Sequence, residues 1–120
     1  MNRVVHFDIS VDEPQRAITF YRDAFGWSIE KWDGPIDYWL VKTGNGEPGI
    51  DGGIAQRKEN ETTIVTIGVT SIDDALDKIE NAGGTVIQPK TSVRKVGYVA
   101  YCRDTEGNIF AIMEEDASAP

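Results

Sequence analysis

The segment "VVHFDISVDEPQRAITFYRDAFGW", residues 4 to 27, decides the fold. Its opening residues alternate, with Val5, Phe7, Ile9 and Val11 on one face and Val4, His6, Asp8 and Ser10 on the other. A period of two marks a strand packed on one face and open to polar groups on the other. Asp12 follows as the expected helix cap, with Pro14 in the first turn and Gln15 three residues after the cap. Ala17, Ile18, Tyr21, Ala24 and Phe25 then recur at helical spacing, and Gly26 ends the run. A strand feeding straight into an amphipathic helix begins a βα unit. Further strands are expected at about 27 to 32, 36 to 43 and 50 to 57, joined by the turn-formers "DGP" and "GNGEPG".

The same order returns after about residue 62. "TIVTIGVT" reads as a strand, and Ser71, with Asp74 three residues on, reads as the cap of a second helix. Its apolar stripe is Ile72, Ala75, Leu76, Ile79 and Ala82, and Gly83 and Gly84 stop it. Strands at about 85 to 89, 96 to 103 and 108 to 114 complete the unit. Sliding the chain on itself by 58 positions pairs Ile9 with Ile67, Val11 with Val69, Ala17 with Ala75, Gly26 with Gly84 and Ile54 with Ile112. The matches fall on core and helix-end positions, where a shared fold demands them. The chain therefore reads as an α+β domain of two βαβββ modules, about 1 to 58 and 59 to 116, with a tail at 117 to 120 expected to fray. Each module leaves one sheet face bare, and paired bare faces make an open cup suited to a small molecule.

Composition narrows the function. With 120 residues the chain fits one domain, and 40% apolar with 27% charged residues is ordinary for a globular protein. No apolar run approaches the roughly 20 residues of a membrane span, and no basic-then-apolar leader opens the sequence, so a cytoplasmic location is expected. A net charge of -8 repels nucleic acid. One cysteine, Cys102, excludes an intrachain disulfide and a cysteine-type zinc site within the chain, and its place in the apolar "VGYVAYCRD" favours a packing residue over the alternative of a reactive thiol. "GIDGG" and "DTEGN" open no helix, so neither is a phosphate loop. Glu114, Glu115 and Asp116 read as a solvated tail.

The strings "HFDI" leading to "RAITFYRDAFGW", then "GPIDYWLV", "GIDGGI", "SIDDALDKIENAGG" and "YCRDTEGNIFAIME" span nearly the whole chain. Together with the double βαβββ order they resemble the vicinal oxygen chelate superfamily, which includes glyoxalase I, bleomycin resistance proteins and extradiol dioxygenases. The resemblance is nearest to short glyoxalase-like proteins related to lactoylglutathione lyase. In the metal-dependent members it implies four ligands, from the first and last strands of each module. Carried onto this sequence those positions are His6, Gly53, Ile64 and Ala111. One imidazole cannot hold a hard divalent ion against water, so neither metal nor other cofactor is expected.

The superfamily also contains metal-free members that hold planar drugs in the cup. Trp27, Trp32 and Trp39, with Tyr38, Tyr98 and Tyr101, supply aromatic surface for such a use, and the competing reading makes any one of them core. His6 is either a polar wall residue or general base, with Asp8 and Ser10 placed to orient its ring, or a structural histidine satisfied by backbone or water. Gly52 and Gly53 within a strand mark close approach, ligand space or a plain bulge. The expected ligand-binding set is His6, Asp8, Trp39, Asp51, Gly53, Tyr98 and Ala111. The expected function is binding of a small, partly aromatic organic molecule without the usual metal. The alternatives are a glyoxalase-, epimerase- or dioxygenase-type enzyme with an altered metal site or none, in which His6 or an acidic residue is the base, and a protein-interaction module. A homodimer is what the resemblance implies.

Overall fold

The computed structural model describes residues 1–120. The elements run β1 (Arg3–Val11), α1 (Pro14–Phe25), β2 (Ser28–Lys31), β3 (Tyr38–Lys42), β4 (Asp51–Gln56), β5 (Ile64–Gly68), α2 (Ile72–Asn81), β6 (Thr85–Val93), β7 (Gly97–Arg103) and β8 (Ile109–Glu115). This is the α+β order of two βαβββ modules. The chain divides into two compact units, one of His6–Ile64 and one of Met1–Val5 with Val65–Pro120. Each is described by itself.

In the His6–Ile64 unit the strand order is β2-β3-β4-β1. β1 and β4 run parallel, pairing His6 with Asp51 and Asp8 with Gly53. One face carries the core: Ile18 of α1 with Ile29, Val41 and Ile54, and Phe7, Ile9, Val11, Tyr21, Trp27 and Trp39 packed around them. The alternation read from β1 is thus the packing that forms from Phe7 onward, whereas Val5 is exposed. α1 ends where glycine allows it, with Gly26 at φ 72 donating its N–H to the Arg22 carbonyl. Its start differs from expectation. Glu13 is the N-cap and makes no side-chain capping bond. The Asp12 carboxylate instead accepts from Arg57 Nε at 2.9 Å, tying the helix entry to the residue after β4.

The other unit repeats the plan with order β5-β8-β7-β6. β5 and β8 are parallel, pairing Thr66 with Ala111. In both units the first strand meets a residue 45 positions on, at His6–Asp51 and Thr66–Ala111, so the repeat extends to strand register. The core is Val69, Ile72, Ala100 and Ile112, flanked by Ile67, Leu76, Ile79, Tyr98 and Phe110. Ser71 caps α2 as expected, its Oγ accepting from Asp74 N at 3.2 Å. Asn2 N donates to the Gly68 carbonyl at 2.8 Å, which attaches the start of β1 to this unit.

Two expectations about the C-terminus are corrected. Glu114 is no solvated tail residue: its Oε1 accepts from Ile72 N at 2.9 Å, placing a carboxylate on the N-terminal turn of α2. The tail does not fray either. Ala119 is buried, its carbonyl accepts from Lys95 N at 3.0 Å, and the Pro120 carbonyl accepts from Ser92 Oγ at 2.6 Å. Cys102 is buried, as its apolar strand suggested. Burial pushes its thiol above the usual range, and the nearby Glu80 charge adds to the rise.

Candidate functional site

On the face of the first unit opposite α1, strand alternation brings His6 and Asp8 of β1, Tyr38 of β3 and Gly53 of β4 together. Asp8 and Gly53 are register partners, and Gly53 pairs with Leu40, so Tyr38 is its diagonal neighbour on the same face. No side chain stands at Gly53, and the Tyr38 hydroxyl fills the space. A Cβ there would overlap that hydroxyl and its ring carbon. Gly53 is thus the close-approach glycine that a strand interior signals.

The Tyr38 hydroxyl donates to Asp8 Oδ1 in a short bond. His6 Nε2 lies 2.8 Å from Tyr38 Oη and 3.2 Å from Asp8 Oδ1. The Tyr38 O–H is directed at Asp8 and Asp8 is an acceptor, so in a neutral imidazole both contacts are satisfied by the tautomer with its proton on Nε2. Nδ1 is then the accepting nitrogen of the neutral ring. The His6 side chain is 31% exposed and that of Asp8 20%, so a small molecule can reach both. Trp32 extends the site sideways. Its ring covers Gly34, where a Cβ would strike it, and meets the Tyr38 ring edge to face at 5.9 Å.

Of the expected ligand-binding residues, His6, Asp8 and Gly53 come together. Asp51 is the register partner of His6, but its carboxylate turns to the β3–β4 loop and accepts from Thr43 N at 2.9 Å. Trp39 lies on the other face, within the α1 core, with Lys31 Nζ 5.6 Å from its ring centre. In the second unit Tyr98 packs into the α2 core, with Lys90 Nζ 4.6 Å from its ring, and Ala111 is buried opposite Tyr101 and Thr66. Tyr98 is displaced for a definable reason. The repeat offset would carry the pair Tyr38–Ala55 to residues 96 and 113, but Met113 pairs with Val99, three residues on. An odd slip exchanges the faces of a strand, so Tyr98 goes to the core and Tyr101 to the side of Ala111.

Tyr38, absent from the expected set, is the residue that the structure brings to His6 and Asp8. Its signal was present in the two glycines, Gly52 and Gly53, opposite a strand with aromatics on both faces. At the four positions where the resemblance puts metal ligands, only His6 carries a donor. Gly53 is occupied by the tyrosine hydroxyl, and Ile64 and Ala111 are apolar. No three His, Cys, Asp or Glu side chains gather in a group that could hold a metal ion. That donor set does not fit a hard divalent cation.

No helix is long and apolar enough to cross a membrane. Among solved structures the chain is similar to hypothetical protein BH1468 from Bacillus halodurans C-125, with TM-score 0.75 and 14% identity over 98% of this chain and 97% of that one. It is similar to methylmalonyl-CoA epimerase from Mycobacterium tuberculosis, with TM-score 0.70 and 13% identity over 94% and 87%. A structure of methylmalonyl-CoA epimerase in complex with methylmalonyl-CoA and NH4+ gives TM-score 0.73 and 12% identity over 100% and 99%. At such identities the likeness is one of fold. No curated protein matches by sequence. The family model of the Glyoxalase/Bleomycin resistance protein/Dioxygenase superfamily matches residues 3–112, and the chain belongs to that superfamily.

Proposed function

We propose that this protein binds a small, partly aromatic organic molecule against the His6–Asp8–Tyr38 face, and does so without the divalent ion of its metal-dependent relatives. The observation that carries the reading is the Tyr38 hydroxyl seated over Gly53, which puts a hydrogen-bonding group where a ligand side chain would otherwise stand. Asp8 has no cationic partner apart from His6 when protonated, and the chain carries a net charge of -8. Both favour neutral or cationic ligands over anionic ones. Trp32 and Tyr38 present ring surface beside the polar groups, which suits a planar molecule bearing a donor at one edge. The lone, buried Cys102 agrees with a cytosolic setting.

Tryptophan fluorescence titrations with planar cationic and neutral aromatics, run with chelator present, test this. Saturable quenching is expected, with affinity reduced at least about tenfold in His6→Ala, a loss of about 1.4 kcal/mol. Absence of quenching across the panel, or binding that appears only on adding zinc, nickel, manganese or iron, contradicts it.

A second reading is favoured by one observation, the anchoring of Nε2 that leaves Nδ1 as acceptor. In it His6 takes a proton from a carbon beside a carbonyl, with Asp8 stabilising the imidazolium. Solved structures of methylmalonyl-CoA epimerase share this fold, and that reaction class is the one to assay. Solvent deuterium exchange into carbonyl compounds, abolished by His6→Gln, supports catalysis. Binding without exchange supports sequestration.

A further inference from the structure

We propose that the ligand of the His6–Asp8–Tyr38 face is a diamine, cationic at both ends, whose apolar middle lies across the strands on Leu40. This ligand class rests on the reading of that face as the binding site. Strand register sets the line. Asp8 of β1 pairs with Gly53 of β4, Gly53 with Leu40 of β3, and Leu40 with Glu30 of β2. Residues directly opposed across a sheet share a face. Their chain neighbours agree, since Ile29, Val41 and Ile54 are buried on the α1 side. Asp8 and Glu30 thus end a row that crosses four strands, with three strand spacings, or about 14 Å, between their Cα atoms.

Between the two carboxylates the row is apolar. Gly53 brings no side chain of its own, and Leu40 is 46% exposed. Trp32 N donates to the Tyr38 carbonyl at 2.8 Å, which continues the β2–β3 ladder and keeps the Trp32 and Tyr38 rings along one side of the row. The ends are open charges. Both bonds to Asp8 fall on Oδ1, which leaves Oδ2 for a ligand. None of the chain's four ion pairs includes Glu30. Lys42, opposite Ser28, is the diagonal neighbour of Glu30 and is unpaired as well. One free carboxylate on a strand is ordinary solvated surface. Two of them closing an apolar row at a fixed separation, in a chain of net charge -8, complement an elongated molecule with an ammonium group at each end.

Calorimetric titration of the full chain at low salt, with chelator present, tests this with two probes: para-linked bis(aminomethyl)biphenyl, with two ammonium groups, and para-aminomethylbiphenyl, with one. The diamine is expected to bind about three- to fivefold tighter, the scale of one exposed ion pair. Glu30→Gln abolishes that advantage and leaves the affinity for the monoamine unchanged. Lys42→Met enlarges it, by removing the ammonium that competes for Glu30. Glu106→Gln, an equal change of net charge in the other unit, leaves it in place. All three positions are exposed, and near-ultraviolet circular dichroism checks that each variant is folded. Equal affinity for the two amines, or an advantage that Glu30→Gln leaves intact or Glu106→Gln removes, overturns the diamine. If monoamine binding is still lost in His6→Ala, the site itself stands. Binding of neither amine also overturns the diamine, and the neutral aromatics of the fluorescence panel then decide the site.

Discussion

The hydroxyl of Tyr38 lies where the Cβ of any other residue at position 53 would be. The ring cannot swing away freely, because the same hydroxyl donates to Asp8 and accepts from His6. Gly53→Ala is therefore expected to destabilise the fold by about 1–3 kcal/mol, the usual scale of overpacking. Most of that cost should vanish in the Tyr38→Ala background. Urea denaturation of the two single variants and the double variant checks this, and additive effects would contradict the assigned contact.

Glu114 holds the first turn of α2 from a neighbouring strand, through Ile72 N. Glu114→Ala leaves that N–H without its charged acceptor and should lower stability by about 1 kcal/mol. Glu115, exposed on the same strand, is the control: Glu115→Ala should change the urea midpoint little.

Cys102 should behave as a core group. Its side chain is fully buried, and burial followed by the Glu80 charge raises its pKa, so both access and thiolate fraction are low. A thiol reagent should label the native protein only as fast as it opens. Rapid stoichiometric labelling under native conditions would contradict the packing.

Acid should loosen two turns. Asp104 is held below its ordinary 3.8 by bonds from Asn108 and Glu106, and Asp116 by bonds from Ser118. A carboxyl whose folded pKa is depressed contributes stability that is complete above 3.8 and lost as the pH falls through the lowered folded value. Both groups are exposed, so the effect is modest and weakened by salt. Asp104→Asn should flatten the fall in stability below that pH, as followed by thermal melts.

Much of this molecule is legible in its sequence because the repeat writes each module twice. Periodicity places β1 and α1, glycine ends α1, and the offset of 58 reproduces even the parallel register of the first and last strands. Local chemistry is legible only where one partner suffices, as at the Ser71 cap. It fails where a distant residue competes: Arg57 draws Asp12 away from capping, and Glu114 is recruited across the fold to Ile72. The site follows the same rule. β1 alternation puts His6 and Asp8 on one face, but Tyr38 and Trp39 are adjacent aromatics on a short strand. Which of them joins His6 depends on hairpin register, and so does the fate of Tyr98 after its three-residue slip.

The most direct test of the account is to map a bound ligand by amide and indole chemical shifts, with chelator present throughout. Using the tightest compound from the fluorescence panel, the account predicts saturating shifts centred on His6, Asp8, Tyr38, Gly53 and the Trp32 indole, and their loss in His6→Ala. Shifts confined to other surfaces, or shifts that require an added divalent metal, would contradict it.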